Sequence, residues 1–253
     1  MCPIPDSLVL AGLGVQWAWP DFCHGFQAQA EPVMKFSGEG FQSGHGIRWC
    51  NAGQRFLAKG MGGTLAASAD WACVQGYSGP DPESALALAA ICSRFSYFDT
   101  VLVHSAVVDY QGQGVLFVGP SGIGKTTQAE LWARHMGAQI INGDKGLLRR
   151  FPEGEIVACG LPWKGSSPYC LNRNVPVKAV VALRQSRENR IRRLRPLECM
   201  EFFLPHIFLP HWDEECMNRA LDTASDFIEQ LPIYLLECRP DQEAVGLTAQ
   251  TIL

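Results

Sequence analysis

The sequence predicts an α/β protein: a small β-rich lobe over residues 1–80, then a larger domain over residues 81–253 in which strands alternate with helices. Three observations predict it. Residues 1–80 hold short apolar runs separated by glycine-rich breaks. Residues 81–253 alternate β-branched runs with helix-favouring stretches. A glycine loop at residues 119–126 joins one such β-branched run to a helical stretch.

In the lobe, residues 7–10, 26–30 and 71–74 read as strands, with breaks at 38–40 and 60–63. Pro80-Asp81-Pro82 then opens a helix over 85–95, with Asp81 as cap and Pro82 in the first turn. Residues 101–109 read as one strand, 111–114 as a turn and 115–118 as a buried strand, so the two strands form a hairpin. A helix over 125–135 is stopped by Gly137, and a short strand at 139–141 ends at Asn142-Gly143-Asp144. Residues 175–183 form a strand, 186–189 a turn, and 190–195 a returning basic strand. Helices at 197–203 and 213–230 flank a proline-broken corner, and Asp213 caps the second. A strand at 233–238 and a short helix from about residue 241 complete the pattern.

Composition excludes several classes. The 253 residues are 47% hydrophobic and 18% charged, a globular balance. No run of eighteen apolar residues occurs and residues 1–6 carry no basic charge ahead of an apolar stretch, so neither a membrane span nor a secretory signal is expected. The ten cysteines include no CxxC pair and sit mostly among apolar neighbours; they read as reduced thiols packed as small hydrophobes, which suits a cytoplasmic location. Net charge is −4, but residues 145–199 carry twelve Lys/Arg against four Glu, and residues 200–253 carry two Arg against ten Asp/Glu. That is no general nucleic-acid binder, although the stretch from Arg184 to Arg195 is either a charge-protected edge strand or a docking patch for an acidic peptide or protein.

The sharpest signal is Gly119-Pro120-Ser121-Gly122-Ile123-Gly124-Lys125-Thr126, a full match to G-x-x-x-x-G-K-[ST] in a strand-to-helix context, with Thr127 following on the helix. Its glycines let successive N–H groups turn toward phosphate oxygens, and the helix N-terminus adds positive potential. Lys125 is placed for the β- and γ-phosphates of ATP or another nucleoside triphosphate, and the Thr126 hydroxyl for Mg²⁺. The accompanying acid is Asp144, nineteen residues past Lys125, after an apolar run; Asp109, ahead of the loop, is the second choice. His206 and His211, five apart across the proline corner, read as structural.

Residues 103–108, 114–126 and 140–144 together resemble the kinase domain of HPr kinase/phosphorylase, and more broadly the HPr-kinase-like proteins of the superfamily that includes ATP-dependent phosphoenolpyruvate carboxykinases. The likeness is strongest over 101–150 and runs on through Gly160 to Ser167 and to about residue 195. It implies a phosphoenolpyruvate-carboxykinase-like P-loop domain with a mixed β-sheet over 81–253, and transfer of a γ-phosphate to a hydroxyl, often of serine. It implies a role for His104, upstream of the loop, and for Asp144 as Mg²⁺ ligand and as base to the acceptor. Members are often oligomers, so a homo-oligomer is among the implications. Two departures stand out: Gly143 occupies the place of the first of two paired Asp residues, and no Glu-x-Arg-Gly segment occurs. The chain thus reads as a relative with an altered acceptor. A nucleotide-binding regulator with little turnover is the alternative, and a carboxykinase-like lyase lacks a second metal cluster in the sequence.

Overall fold

A computed structural model describes residues 7–16, 21–37, 48–51, 55–60, 63–78 and 85–253. The chain divides into two compact units, residues 1–98 with 210–219, and residues 99–209 with 220–253. The division thus falls after Phe98 rather than after residue 80. The break expected at 38–40 and the helix start at Pro80-Asp81-Pro82 lie outside the described residues.

The first unit is built on an eight-stranded sheet: β1 (Ser7–Leu10), β2 (Leu13–Gln16), β3 (Gln27–Ala28), β4 (Pro32–Ser37), β5 (Arg48–Asn51), β6 (Arg55–Gly60), β7 (Gly63–Ser68) and β8 (Cys73–Ser78), in the order β3-β1-β2-β4-β8-β7-β6-β5. The strand expected over 26–30 shrinks to Gln27–Ala28, because Asp21–Phe26 winds into a 3₁₀ turn. The strand expected from Trp71 begins at Cys73, since Trp71 has a left-handed φ of 59°. Helix α1 (Ala85–Phe95) packs on β7 and buries Leu86, Ala90, Ile91 and Phe95, which is why it belongs with this unit. Residues 210–219 join it through polar anchors: the Trp71 indole N–H donates to Asp213 Oδ2 at 2.7 Å, and that of Trp212 to Ser93 Oγ at 3.1 Å. As expected, Asp213 also caps the helix Glu214–Gln230, accepting from the Cys216 N–H at 3.1 Å.

The second unit is α/β with mixed sheets. Its strands are β9 (Thr100–Val103), β10 (Ser105–Tyr110), β11 (Gln113–Val118), β12 (Gln139–Asn142), β13 (Gly146–Arg150), β14 (Ile156–Cys159), β15 (Asn174–Gln185), β16 (Arg190–Arg193), β17 (Ile207–Phe208) and β18 (Ile233–Cys238). Its helices are α2 (Lys125–Met136), α3 (Pro196–Phe202), α4 (Glu214–Gln230, from residue 220 onward) and α5 (Gln242–Ile252). The single strand expected over 101–109 is two strands, because the chain changes partners at His104: β9 pairs with β13 and β17, whereas β10 pairs with β11 and β12. The β10–β11 hairpin turns on Gln111 and Gly112 at φ 53° and 79°, the positive values a two-residue turn requires.

Strand β15 is shared. Its first residues pair antiparallel with β14, while farther along it pairs parallel with β11 on one side and β18 on the other. The basic strand β16 pairs with β18 and not with β15, so the expected direct return is corrected. The cause is burial: β18 is apolar enough to take an interior position, with Ile233, Leu235, Leu236 and Cys238 buried, whereas the exposed arginines of β16 suit an edge. Alternation along the strands divides the core. Ala106, Val108, Val115, Phe117 and Val181 face α2 and α5; Val107, Leu116, Val118, Val180 and Leu235 face the opposite layer with Phe203, Ala224 and Phe227. Among the described residues, no helix is long and apolar enough to cross a membrane.

Candidate functional site

Strand β11 delivers the chain from a fully buried Val115–Val118 run into the glycine loop. Helix α2 is held beneath it by Trp132, whose ring meets Phe117 at 5.9 Å and Tyr110 at 6.1 Å, both edge-on. Gly122 and Gly124 stand at φ 77° and 114°, backbone a side chain resists, and Gly124 is the N-cap of α2. The Ile123 N–H donates to Pro120 O at 3.2 Å, closing the turn. Lys125 folds back over the loop, donating to Gly119 O at 3.0 Å and Pro120 O at 3.1 Å. Burial pulls its pKa below the usual lysine range, and the Asp144 carboxylate opposes that shift.

The opposite wall comes from the Asn142-Gly143-Asp144 turn after β12. Asn142 is fully buried and organises it: its Oδ1 accepts from the N–H groups of Asp144 (2.9 Å) and Lys145 (3.0 Å), and its Nδ2 donates to Leu161 O (3.0 Å) and Trp163 O (3.2 Å). The Thr126 hydroxyl donates to Gly143 O at 2.9 Å, tying helix α2 to this turn. Gly143 permits close approach. A Cβ there would lie 2.8 Å from Ser167 Cβ and 3.4 Å from Thr126 Cγ2, so Ser167 fills the space that a side chain at this position would take. The Trp163–Ser167 segment also packs on the acid itself: a Cβ at Gly165 would meet Asp144 Oδ2 at 2.6 Å.

Asp144 is the charged centre. His104 Nε2 stands 3.4 Å from its Oδ1, and Lys145 Nζ pairs with its Oδ2. The His104 contact is the main cause holding the carboxyl well below the usual range; burial opposes it, and Lys145 adds to it. His104 sits where β9 hands over to β10, with its N–H donating to His206 O at 2.8 Å and the next residue's N–H to Asp144 O at 3.1 Å. His206 is thus drawn toward the site, and burial, then the charges of Lys125 and His104, lower its pKa. Asp109 is removed from this wall. It lies at the hairpin end of β10 opposite Gly114, accepts from the Gly112 N–H at 2.8 Å and pairs with Arg173.

Sequence reasoning missed Asn142, Lys145 and His206. Asn-Gly-Asp reads as an ordinary turn, and only the position of 161–163 shows that the Asn142 amide spans two segments. His206 is about a hundred positions from His104, with no local pattern to link them. The basic stretch is less charged than its count suggests: Arg184 pairs with Glu237 at 3.3 Å, Arg192 with Glu198 at 2.8 Å, Arg195 with Glu198 at 3.1 Å, and Arg190 with Glu188. The described cysteines are free thiols, and burial pushes Cys159 and Cys216 up to about 12.

For a metal, the hard donors beside the loop are the Thr126 hydroxyl and the Asp144 carboxylate. No group of three or more His, Cys, Asp or Glu gathers as a metal site among the described residues. Two oxygen donors fit Mg²⁺, which keeps several waters and takes the rest of its shell from phosphates.

No family model matches the chain, and no curated protein matches it in sequence. Among solved structures, the chain is similar to the HPr(Ser) kinase/phosphatase from Coxiella burnetii, at 12% identity and a TM-score of 0.37, over 59% of this chain and 95% of that one.

Proposed function

We propose that the chain is a phosphotransferase that uses ATP, or another nucleoside triphosphate, with Mg²⁺ to phosphorylate a hydroxyl, of the serine type, on a peptide, protein or small molecule. The supporting observation is the meeting of the loop with the acid: Thr126 is bonded to Gly143 O at 2.9 Å, the next residue is Asp144, and the Asp144 charge acts on Lys125. Transfer of this kind needs positioning and charge neutralisation more than covalent chemistry. The loop N–H groups from Ser121 to Thr127 and the N-terminus of α2 would hold the phosphates, with Gly119 and Pro120 shaping the loop, and Lys125 would leave its two loop carbonyls for phosphate oxygens. Thr126 and Asp144 would hold Mg²⁺, which when bound neutralises charge on the triphosphate. Asp144 would take the acceptor proton, once freed from Lys145, while His104 orients its carboxylate. The Arg184–Arg195 edge is the proposed docking surface for an acidic acceptor, its internal pairs exchanging for the acceptor's carboxylates.

The test is Asp144→Asn. Serine-dependent ADP release at saturating Mg²⁺ and triphosphate should fall by about 100-fold or more, the scale of lost general-base catalysis. Transfer at the wild-type rate would remove Asp144 as the base.

One observation favours a second reading, a nucleotide-binding regulator. Both Asp144 oxygens already have cationic or hydrogen-bonding partners, and Gly143 supplies no second acid. Tight triphosphate binding without ADP release under any hydroxyl acceptor would select it.

A further inference from the structure

We propose that the Ser167 hydroxyl belongs to the cation site, where it holds a water of the Mg²⁺ shell beside Thr126 and Asp144. The proposal rests on the Mg²⁺–triphosphate reading above. It names the residue that completes the site at the point where Gly143 brings no side chain.

Gly143 stands between the two hard donors. Its carbonyl accepts from the Thr126 hydroxyl at 2.9 Å, and Asp144 is the next residue. A side chain at this position would project between them, and glycine has none. Ser167 takes up that space. Its Oγ is the atom nearest the point a Cβ of residue 143 would occupy, and the Thr126 methyl lies 3.4 Å from the same point. An oxygen is thereby returned to the wall by a residue from another segment. The placement is fixed from several sides. The Ser167 N–H donates to Lys164 O at 3.0 Å, and the Asn142 amide holds Trp163 O at 3.2 Å. Two residues before Ser167, a Cβ at Gly165 would lie 2.8 Å from the Asp144 carboxyl carbon. One turn therefore touches both Gly143 and Asp144.

The hydroxyl itself is only partly used. Ser167 is 8% exposed, and its Oγ accepts from the Tyr169 N–H at 3.2 Å. A serine hydroxyl has two lone pairs and one proton. The second lone pair and the proton have no partner among the described residues. A buried polar group left so calls for a ligand that both donates and accepts. A hydrated cation on a triphosphate does both: its water donates to the free lone pair, and a phosphate oxygen takes the proton. The contact runs through water because of where Oγ stands. It lies beside the Cβ point, whereas a carboxylate from residue 143 would reach two bonds farther. Mg²⁺ suits such a site, since it keeps several of its waters.

The experiment measures ATP affinity on the full chain by competition binding, once with saturating Mg²⁺ and once with the metal chelated. The ratio of the two affinities is the gain from the metal. In Ser167→Ala that gain should fall about ten-fold or more, the scale of losing an outer-shell partner, while metal-free affinity stays within about two-fold of wild type. An unchanged gain would overturn the proposal. So would an equal loss with and without the metal, which is what a purely structural serine would produce. If Ser167→Ala fails to fold, Ser167→Cys decides on the same criteria, because sulfur keeps the volume but is a weak hydrogen-bonding group. The underlying reading is read from wild type alone: no ATP binding, or no gain from Mg²⁺, sinks that reading and this one with it, whereas a wild-type gain that Ser167→Ala retains sinks the serine assignment only.

Discussion

Replacing Asn142 with Ala should loosen the candidate site more than any change to a charged residue around it. The side chain is fully buried and makes four hydrogen bonds, two as donor to Leu161 O and Trp163 O and two as acceptor from the Asp144 and Lys145 N–H groups. At about 1 kcal/mol each, their loss totals about 4 kcal/mol. The Asp144 and Lys145 amides are only partly buried and can recover water, so the expected local cost is about 3 kcal/mol. That corresponds to about two decades in an opening equilibrium. A chain of two units need not unfold in one step, so the decisive assay is native-state hydrogen exchange rather than a global midpoint. The amides of Ser167 and Leu171, bonded to Lys164 O and Ile141 O, should exchange about 100-fold faster in Asn142→Ala. Asn142→Asp should do no better, because it keeps the acceptor but sets a carboxylate against two carbonyl oxygens. Unchanged protection at both amides in Asn142→Ala would refute the view that this amide holds 161–167 against the acid.

Two further outcomes follow from the same geometry. Gly143→Ala should destabilise the protein by about 2 kcal/mol through overpacking on Ser167, and Ser167→Gly in the same chain should restore most of it, read as thermal midpoints of the single and double variants. Glu198, whose pKa the Arg192 bond lowers to about 2, should lend stability that is fully present above its unfolded value near 4.5 and is lost as pH falls through about 2; the midpoint difference between wild type and Glu198→Gln should be flat above about pH 5.5 and shrink below it, and a difference independent of pH would contradict the pairing.

The loop, its flanking strand and helix, and Asp144 were legible because each is a local statement: glycines at fixed spacing, a β-branched run before them, a helix-forming run after them. The Asp213 cap was equally local, accepting from the third N–H beyond it. The order of strands was not local. Nothing in 190–195 says that a strand forty residues on inserts between it and β15, because pairing is decided by which strand can be buried on both faces. The break at His104 was hidden for a related reason, as Val101–Val103 and Ala106–Val108 read as one β-branched strand through His104 and Ser105, and only the competition of β13 and β12 for their edges divides it.

The sequence by itself therefore determined that a glycine loop joins a strand to a helix and which acid follows it, since backbone conformation at Gly122 and Gly124 and the identities of Lys125 and Thr126 depend on near neighbours alone. Tertiary structure decided what surrounds them. It placed Ser167 in the space beside Gly143, and His104 and Lys145 on the Asp144 carboxylate. Most of these contacts join residues tens of positions apart, and they form only where burial of the sheet's two faces brings the chain ends of its strands together.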